Sequence, residues 1–236
     1  MILFSDNMPR RFGYNKYKGR LNRYQRQSER LQVVSQNRRR RPGLSIGFWN
    51  TKTFISLEKQ ETVHRILNGR DFDILCLSET WFREDCKDHN FSHKGYSVLR
   101  NERSGADRKG GGLMLLIKED IKAVGYIPQP RPGFSEYEKE RVWVLITGSG
   151  PKVAVGFTYM RSTSSPNHVH HNRILYNLLK ADIQELREDG FVVLMMGDFN
   201  GHLGSRSIEN PHGIIGDTCA KNKNGTLLLE FLKNEN

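Results

Sequence analysis

The stretch that decides the fold is Phe191–Asn200, FVVLMMGDFN. Phe191 to Met196 is an unbroken run of β-branched, aromatic and long aliphatic side chains. Six such residues fit a strand buried on both faces. The run breaks at Gly197-Asp198-Phe199-Asn200, where glycine lets the backbone turn sharply and Asp and Asn tolerate turn geometry. The strand therefore delivers a carboxylate and a carboxamide, two residues apart, to one rim of a sheet. An anionic acceptor beside an amide suits metal-assisted phosphate chemistry. Asp198 is placed to ligate Mg²⁺ or orient a water, and Asn200 to hold a phosphate oxygen or the nucleophile. By itself GDFN reads equally well as an ordinary β-turn, so the rest of the chain must decide.

Around this stretch, 236 residues with 36% hydrophobic content suffice for one sizeable domain, or one domain and a tail. No apolar segment approaches the roughly 18–20 residues of a membrane span, and the first residues lack the apolar core of a signal peptide. Cys76, Cys86 and Cys219 show neither CxxC pairing nor metal-ligand spacing, which fits a reduced intracellular compartment, nucleus or cytoplasm. Cys76, inside an apolar run, reads as core. The net charge of +11 is unevenly placed. Twelve of the 37 Lys and Arg lie in residues 1–43, against only Asp6 and Glu29, and the remainder holds 25 basic and 24 acidic residues. A signal for acidic partners therefore belongs to the tail and not to the domain.

Residues 1–43 are too poor in apolar side chains to offset their ordering entropy and read as a disordered basic tail ending in Arg38, Arg39, Arg40 and Arg41. Phe12, Tyr14, Tyr17 and Tyr24 are available to stack on bases while the basic residues meet phosphates. A solvated tail, a nuclear-import signal and translated non-coding sequence fit the same composition, and residues 21–36 suit a marginal helix.

The domain, residues 44–236, begins with a strand LSIGFWN that ends in Trp49-Asn50. A helix over about 56–68 follows, with Ser56 as its cap, an apolar stripe of Leu57, Val63, Ile66 and Leu67, and Gly69 as its stop. The buried strand DILCL, 73–77, opens into Ser78-Glu79-Thr80-Trp81, so a second carboxylate sits at a strand end. Strands are expected at 96–100 and 113–117. The glycine-rich loop between them lacks the GK[ST] of a Walker phosphate loop. Residues 119–140 read as irregular. A hairpin pairs 141–147 with 152–158 and ends in Tyr159-Met160-Arg161. Ser165-Pro166 is a helix-start signal for a helix to about Arg187, with Ile174, Leu175, Leu178, Leu179, Ile183 and Leu186 on its apolar face. After the GDFN strand and a polar loop, a last helix covers 226–232.

Four strands thus end in Asn50, Glu79, Tyr159 and Asp198/Asn200, a convergence of polar groups on one rim. The strings GFWNTK, LSETW, YMRS and GDFNGHLG resemble the endonuclease/exonuclease/phosphatase superfamily. More narrowly, they resemble the endonuclease domains of non-LTR retrotransposon (LINE/RTE-like) proteins. In those, GDFN-x-H-x-G is followed by N-x-N-G-x-x-L-L-x-F, here Asn222-Lys223-Asn224-Gly225-Thr226-Leu227-Leu228-Leu229-Glu230-Phe231. The resemblance runs from about Leu44 to the C-terminus. It implies an α/β fold, a four-layer sandwich of two mixed β-sheets flanked by helices, and Mg²⁺-dependent phosphodiester hydrolysis on DNA, with Mn²⁺ as an alternative ion. It implies metal positions at Glu79 and Asn50 and catalytic positions at Asp198, Asn200 and Tyr159. The resemblance also implies further strands carrying a Thr-Trp segment, an aspartate and a Ser-Asp-His. The chain stops at Asn236 without them, so the expected sandwich is incomplete at the C-terminus and little or no nuclease activity is expected. The rival readings are a phosphatase or phosphodiesterase of the same superfamily with another substrate, and a non-catalytic nucleic-acid-binding remnant or gene fragment.

Overall fold

A computed structural model describes residues 43–69, 72–82, 91–102, 110–128, 131, 138–148, 150–164, 166–204 and 219–234. The expected tail, with Arg38, Arg39, Arg40 and Arg41, lies outside these residues apart from Gly43, as do Ser165 and Cys86.

Two four-stranded sheets form. The first has β1 (Ile46–Asn50), β2 (Ile74–Ser78), β3 (Tyr96–Asn101) and β4 (Leu113–Lys118) in the order β1-β2-β4-β3. The second has β5 (Ala123–Tyr126), β6 (Arg141–Ile146), β7 (Val153–Tyr159) and β8 (Val192–Asp198) in sequential order. Each sheet is mixed: β1 pairs parallel with β2, β7 parallel with β8, and the other pairs are antiparallel. Helix α1 (Leu57–Asn68) follows β1, α2 (Pro166–Glu188) connects β7 to β8, and α3 (Lys223–Asn234) comes last.

Side-chain alternation along the strands creates the layers. Ile74 and Cys76 of β2 with Leu113, Leu115 and Ile117 of β4 face Val142, Val144, Val155 and Phe157 of the second sheet, forming the core between sheets. The intervening Leu75, Leu77, Met114 and Leu116 face outward and are covered by Phe54 and by Val63 and Leu67 of α1. On the far side, Leu175, Leu179, Ile183 and Leu186 of α2 and Leu227, Leu228 and Phe231 of α3 cover Trp143, Ala154 and Met195 of the second sheet. The result is helix, sheet, sheet, helix, as expected. Cys76 is wholly buried, and burial pushes its thiol pKa well up, which marks it as core.

Several expectations are corrected. The strand of the deciding stretch extends to Asp198; both its faces are covered as expected, Met195 on the helix side and Met196 between the sheets, but laterally it is an edge strand among the described residues, with Val192 60% exposed. Gly197 is needed there for closeness and not for a turn, because a Cβ would lie 2.3 Å from the Thr158 carbonyl oxygen. The segment read as irregular contains β5. Its four residues, AVGY, carry no apolar run, and Gly125 permits the approach of Leu99. Leu57 is 75% exposed, so the buried stripe of α1 starts only at Val63, and the wholly buried Phe54 before the helix fills the place expected of Leu57. Ser56 occupies the cap position without a side-chain cap bond; its carbonyl accepts from the Lys59 and Gln60 amides. The last helix starts at Lys223, three residues earlier than expected.

Candidate active site

The parallel pairs set the site. In register, Asn50 lies opposite Ser78 at the ends of β1 and β2, and Tyr159 opposite Asp198 at the ends of β7 and β8. Both sheets therefore release their chain ends at one rim. The Asn50 carboxamide joins them: its Nδ2 donates to Glu79 Oε1 at 2.9 Å and to Asp198 Oδ2 at 2.8 Å. The Asn200 amide N–H donates to Asp198 Oδ1 at 3.0 Å, and the Asn200 Nδ2 to the Met160 carbonyl at 2.8 Å. The Tyr159 hydroxyl hydrogen-bonds Glu79. Burial, then the neighbouring Glu79 charge, push the Tyr159 pKa far up, so the phenol stays a proton donor. All five expected positions are thus brought together. The expected nucleic-acid residues Arg38 to Arg41 lie outside the described residues.

The loops that carry these groups depart from ordinary backbone. Glu79, Trp81 and Asn200 all have positive φ, at 51°, 59° and 46°. Such conformations cost about 1–3 kcal/mol each for residues with a Cβ and persist only when surrounding structure enforces them. Around Glu79 the enforcement comes from the triple glycine. The Gly112 and Gly111 carbonyls accept from the Thr80 and Trp81 amides, and a Cβ on Gly112 would sit 2.6 Å from Thr80 Oγ1. The glycines that failed the phosphate-loop pattern are a support for the glutamate loop. On the other side, the Thr51, Thr53 and Phe54 amides donate to the carbonyls of Ser78, Glu79 and Thr80, which extends the β1/β2 pairing past the strand ends.

The N-x-N-G segment has an equally concrete role. Asn222 accepts from the His202 and Gly225 amides at 3.1 and 2.7 Å and donates to the Asn200 carbonyl at 2.9 Å. Asn224, wholly buried, donates to the Arg161 carbonyl at 2.9 Å and accepts from Asn172 at 2.8 Å, while Asn172 also donates to the Arg161 carbonyl at 2.7 Å. One asparagine fixes the GDFN loop and the other fixes the loop after Tyr159. Gly225 is obligatory because a Cβ would lie 1.9 Å from the His202 carbonyl. Sequence reading gave no role to Arg161, whose guanidinium Nε lies 3.5 Å from the buried Glu140 carboxylate, nor to Lys59 and Asn172. A single polar residue on a helix, as Lys59 and Asn172 are, or in a loop, as Arg161 is, carries no pattern that separates it from a solvated surface.

Which ion fits these donors follows from their chemistry. Two carboxylates share the amide hydrogens of one carboxamide, an arrangement of like charges that a cation relieves. Among the described residues no group of three His, Cys, Asp or Glu side chains is placed to hold a metal ion. Hard oxygen ligands, few in number, fit an ion that keeps several waters, as Mg²⁺ does, better than one that needs a full protein cage.

The fold and this rim define the class: an α/β sandwich with acidic and amide groups at the ends of its parallel strands. The model of the Endonuclease/Exonuclease/phosphatase family matches residues 47–231, and the chain belongs to that family. No curated protein matches it. Among solved structures it is similar to AP endonuclease LMAP from Leishmania major, at 16% identity and TM-score 0.57 over 80% of this chain and 66% of that one. It is also similar to the APE2 catalytic domain from Xenopus laevis, at 16% identity and TM-score 0.58 over 80% and 67%. A third is the 3' phosphatase NExo from Neisseria, bound to product DNA hairpin, at 15% identity and TM-score 0.55 over 80% and 71%. The matched region thus spans about two thirds of the first two structures' length. At these identities the likeness concerns the fold. No helix of the described residues is long and apolar enough to cross a membrane.

Proposed function

We propose that the chain is a retrotransposon-type endonuclease domain that hydrolyses DNA phosphodiesters with Mg²⁺, or with Mn²⁺ in its place, and that the 236 residues by themselves do so weakly. The observation that carries the reading is the Asn50 carboxamide bridging Glu79 and Asp198 across the two sheets. Glu79 would hold the ion, and Asn50, whose N–H groups face the two carboxylates, would orient Glu79 for it. A bound ion would supply neutralisation of the charge that builds on the phosphate oxygens. Asp198, fixed by the Asn200 amide and by Asn50, orients the attacking water and takes its proton. Tyr159, kept protonated by burial, donates to a phosphate oxygen, and Asn200 holds the phosphate. Arg38, Arg39, Arg40 and Arg41 contact the DNA backbone, a contribution that falls steeply with salt. The AP endonuclease from Leishmania major and the phosphatase bound to product DNA hairpin agree with a nucleic-acid substrate. Weak turnover is proposed on the small set that the described residues supply, two carboxylates, Glu79 and Asp198, sharing one carboxamide. One positioned proton-transfer group is worth about 10²–10⁴ in rate.

Supercoiled-plasmid nicking with Mg²⁺ tests this. Slow nicking that Glu79→Ala and Asp198→Ala both abolish supports the whole reading. Fast turnover abolished by the same changes keeps the reaction and removes the impairment. Nicking that survives both substitutions removes the site assignment, and release of phosphate from a monoester without nicking removes the substrate class.

A further inference from the structure

We propose that Lys59 is a positioning residue: its ammonium group locks the loop after β1 so that the Asn50 carboxamide turns its N–H groups toward Glu79 and Asp198. The inference rests on the reading of that site given above.

Lys59 lies in the first turn of α1, nine residues from Asn50, and its Nζ donates to the Thr51 carbonyl, to the Lys52 carbonyl at 2.9 Å and to the Thr53 carbonyl at 3.0 Å. An ammonium has three donors, and here all three go to consecutive backbone carbonyls. Carbonyls converge in this way only because Lys52 and Thr53 are both in the positive-φ region, at 44° and 78°. Neither residue favours it, and Thr53, β-branched, least of all. The convergence of three negative carbonyl ends on one cation compensates that strain.

The consequence reaches Asn50 through one bond. With Lys52 in this conformation its amide N–H donates to Asn50 Oδ1 at 3.0 Å. A primary carboxamide has one acceptor end and one donor end. Holding the oxygen on Lys52 obliges the nitrogen to face the opposite way, where it meets both carboxylates. The same loop carries the Thr51 and Thr53 amides that bond the Ser78 and Glu79 carbonyls, and Thr51 Oγ1 donates to the Ser78 carbonyl at 2.9 Å. Lys59 therefore supports both Asn50 and the loop presenting Glu79 without touching either carboxylate. Gln60, its neighbour on α1, bonds the Phe54 carbonyl at 3.1 Å, one residue beyond the positive-φ pair. It serves as a control for general loosening of the loop.

The test compares the full chain with Lys59→Met, Lys59→Arg and Gln60→Ala. Lys59→Met keeps a stem of similar length and removes the donors. Two-dimensional ¹H–¹⁵N spectra without metal follow the Asn50 side-chain amide pair, and electron paramagnetic resonance follows Mn²⁺ affinity. Losses of outer partners of metal ligands commonly weaken affinity about 10–100-fold. Expected for Lys59→Met are an Asn50 amide pair moved to the solvent-exposed position and Mn²⁺ binding at least tenfold weaker. Lys59→Arg restores part of both, and Gln60→Ala changes neither. An Asn50 amide unmoved in Lys59→Met overturns the proposal, whatever happens to stability. So does an equal shift in Gln60→Ala. If the parent chain binds no Mn²⁺, the metal reading fails by itself and the amide spectrum still decides the role of Lys59.

Discussion

Replacing Asp182 by alanine should be among the most destabilising single changes in the chain. Asp182 is 3% exposed on α2 and accepts from Arg141 Nε at 2.6 Å and from Trp143 Nε1 at 3.1 Å. Arg141, the first residue of β6, is wholly buried, and its carbonyl accepts from Asn101 of β3 at 2.8 Å. This cluster thus fastens α2 to the second sheet and the second sheet to the first. Removing the carboxylate takes a charged acceptor from a buried guanidinium and the acceptor of a buried indole. Breaking a buried pair from one side costs about 3–5 kcal/mol. The Arg131 contact to the same carboxylate adds little, since Arg131 is 31% exposed. Against a total stability of about 5–15 kcal/mol, the loss is a fifth or more of what holds the domain. At about 2–4 °C per kcal/mol for a domain of this size, the midpoint falls by roughly 6–20 °C. Urea unfolding followed by circular dichroism measures it. The paired replacement Arg141→Met with Asp182→Leu should recover most of the loss, because no charge is then stranded. A loss below about 1 kcal/mol in Asp182→Ala, or a double variant no better than the single, would refute the reasoning.

Two further outcomes are expected. Asn222→Ala removes three hydrogen bonds around Asn200 and His202, each worth about 0.5–1.5 kcal/mol net, and should speed amide exchange at His202 and Gly225 before it unfolds the domain; unchanged exchange there would contradict the staple. The Tyr159 and Tyr176 phenols have pKa values raised above 10.0, chiefly by burial, so the folded state resists their ionisation. Their contribution is complete below that pH. As pH rises past it, stability should fall by about 1.4 kcal/mol per unit for each tyrosine, and less steeply in Tyr159→Phe and Tyr176→Phe.

The layers were legible because alternation and apolar runs are properties of short windows. Ile74 to Leu77 and Leu113 to Ile117 announce buried strands without any tertiary information. The positions of Asn50, Glu79, Tyr159 and Asp198 were legible for a related reason, since each ends such a run. What surrounds them was not. That β8 is an edge strand depends on pairing and not on its own residues, which have the composition of a central strand. β5 went unseen because packing of Gly125 against Leu99 supports it more than propensity does. The left-handed turns at Glu79 and Asn200 rest on Gly112, Asn222 and Asn224, which are distant in sequence, and the Lys59 support, though local, depends on positive-φ backbone that no residue pattern announces. The motif N-x-N-G was visible as a string, but only the bonds to the Asn200 and Arg161 carbonyls explain why both asparagines are there.

The central claim is that Glu79 holds a hard divalent cation, with Asn50 bridging it to Asp198, the group that orients the water. Mn²⁺ titration of the chain, followed by the loss of the free-ion paramagnetic resonance signal, tests it most directly. The account predicts one strong site per chain, displaced by excess Mg²⁺ and weakened at least tenfold in both Glu79→Ala and Asp198→Ala while their circular dichroism stays unchanged. Strong Mn²⁺ binding that both variants retain, or no binding by the folded parent, would contradict it.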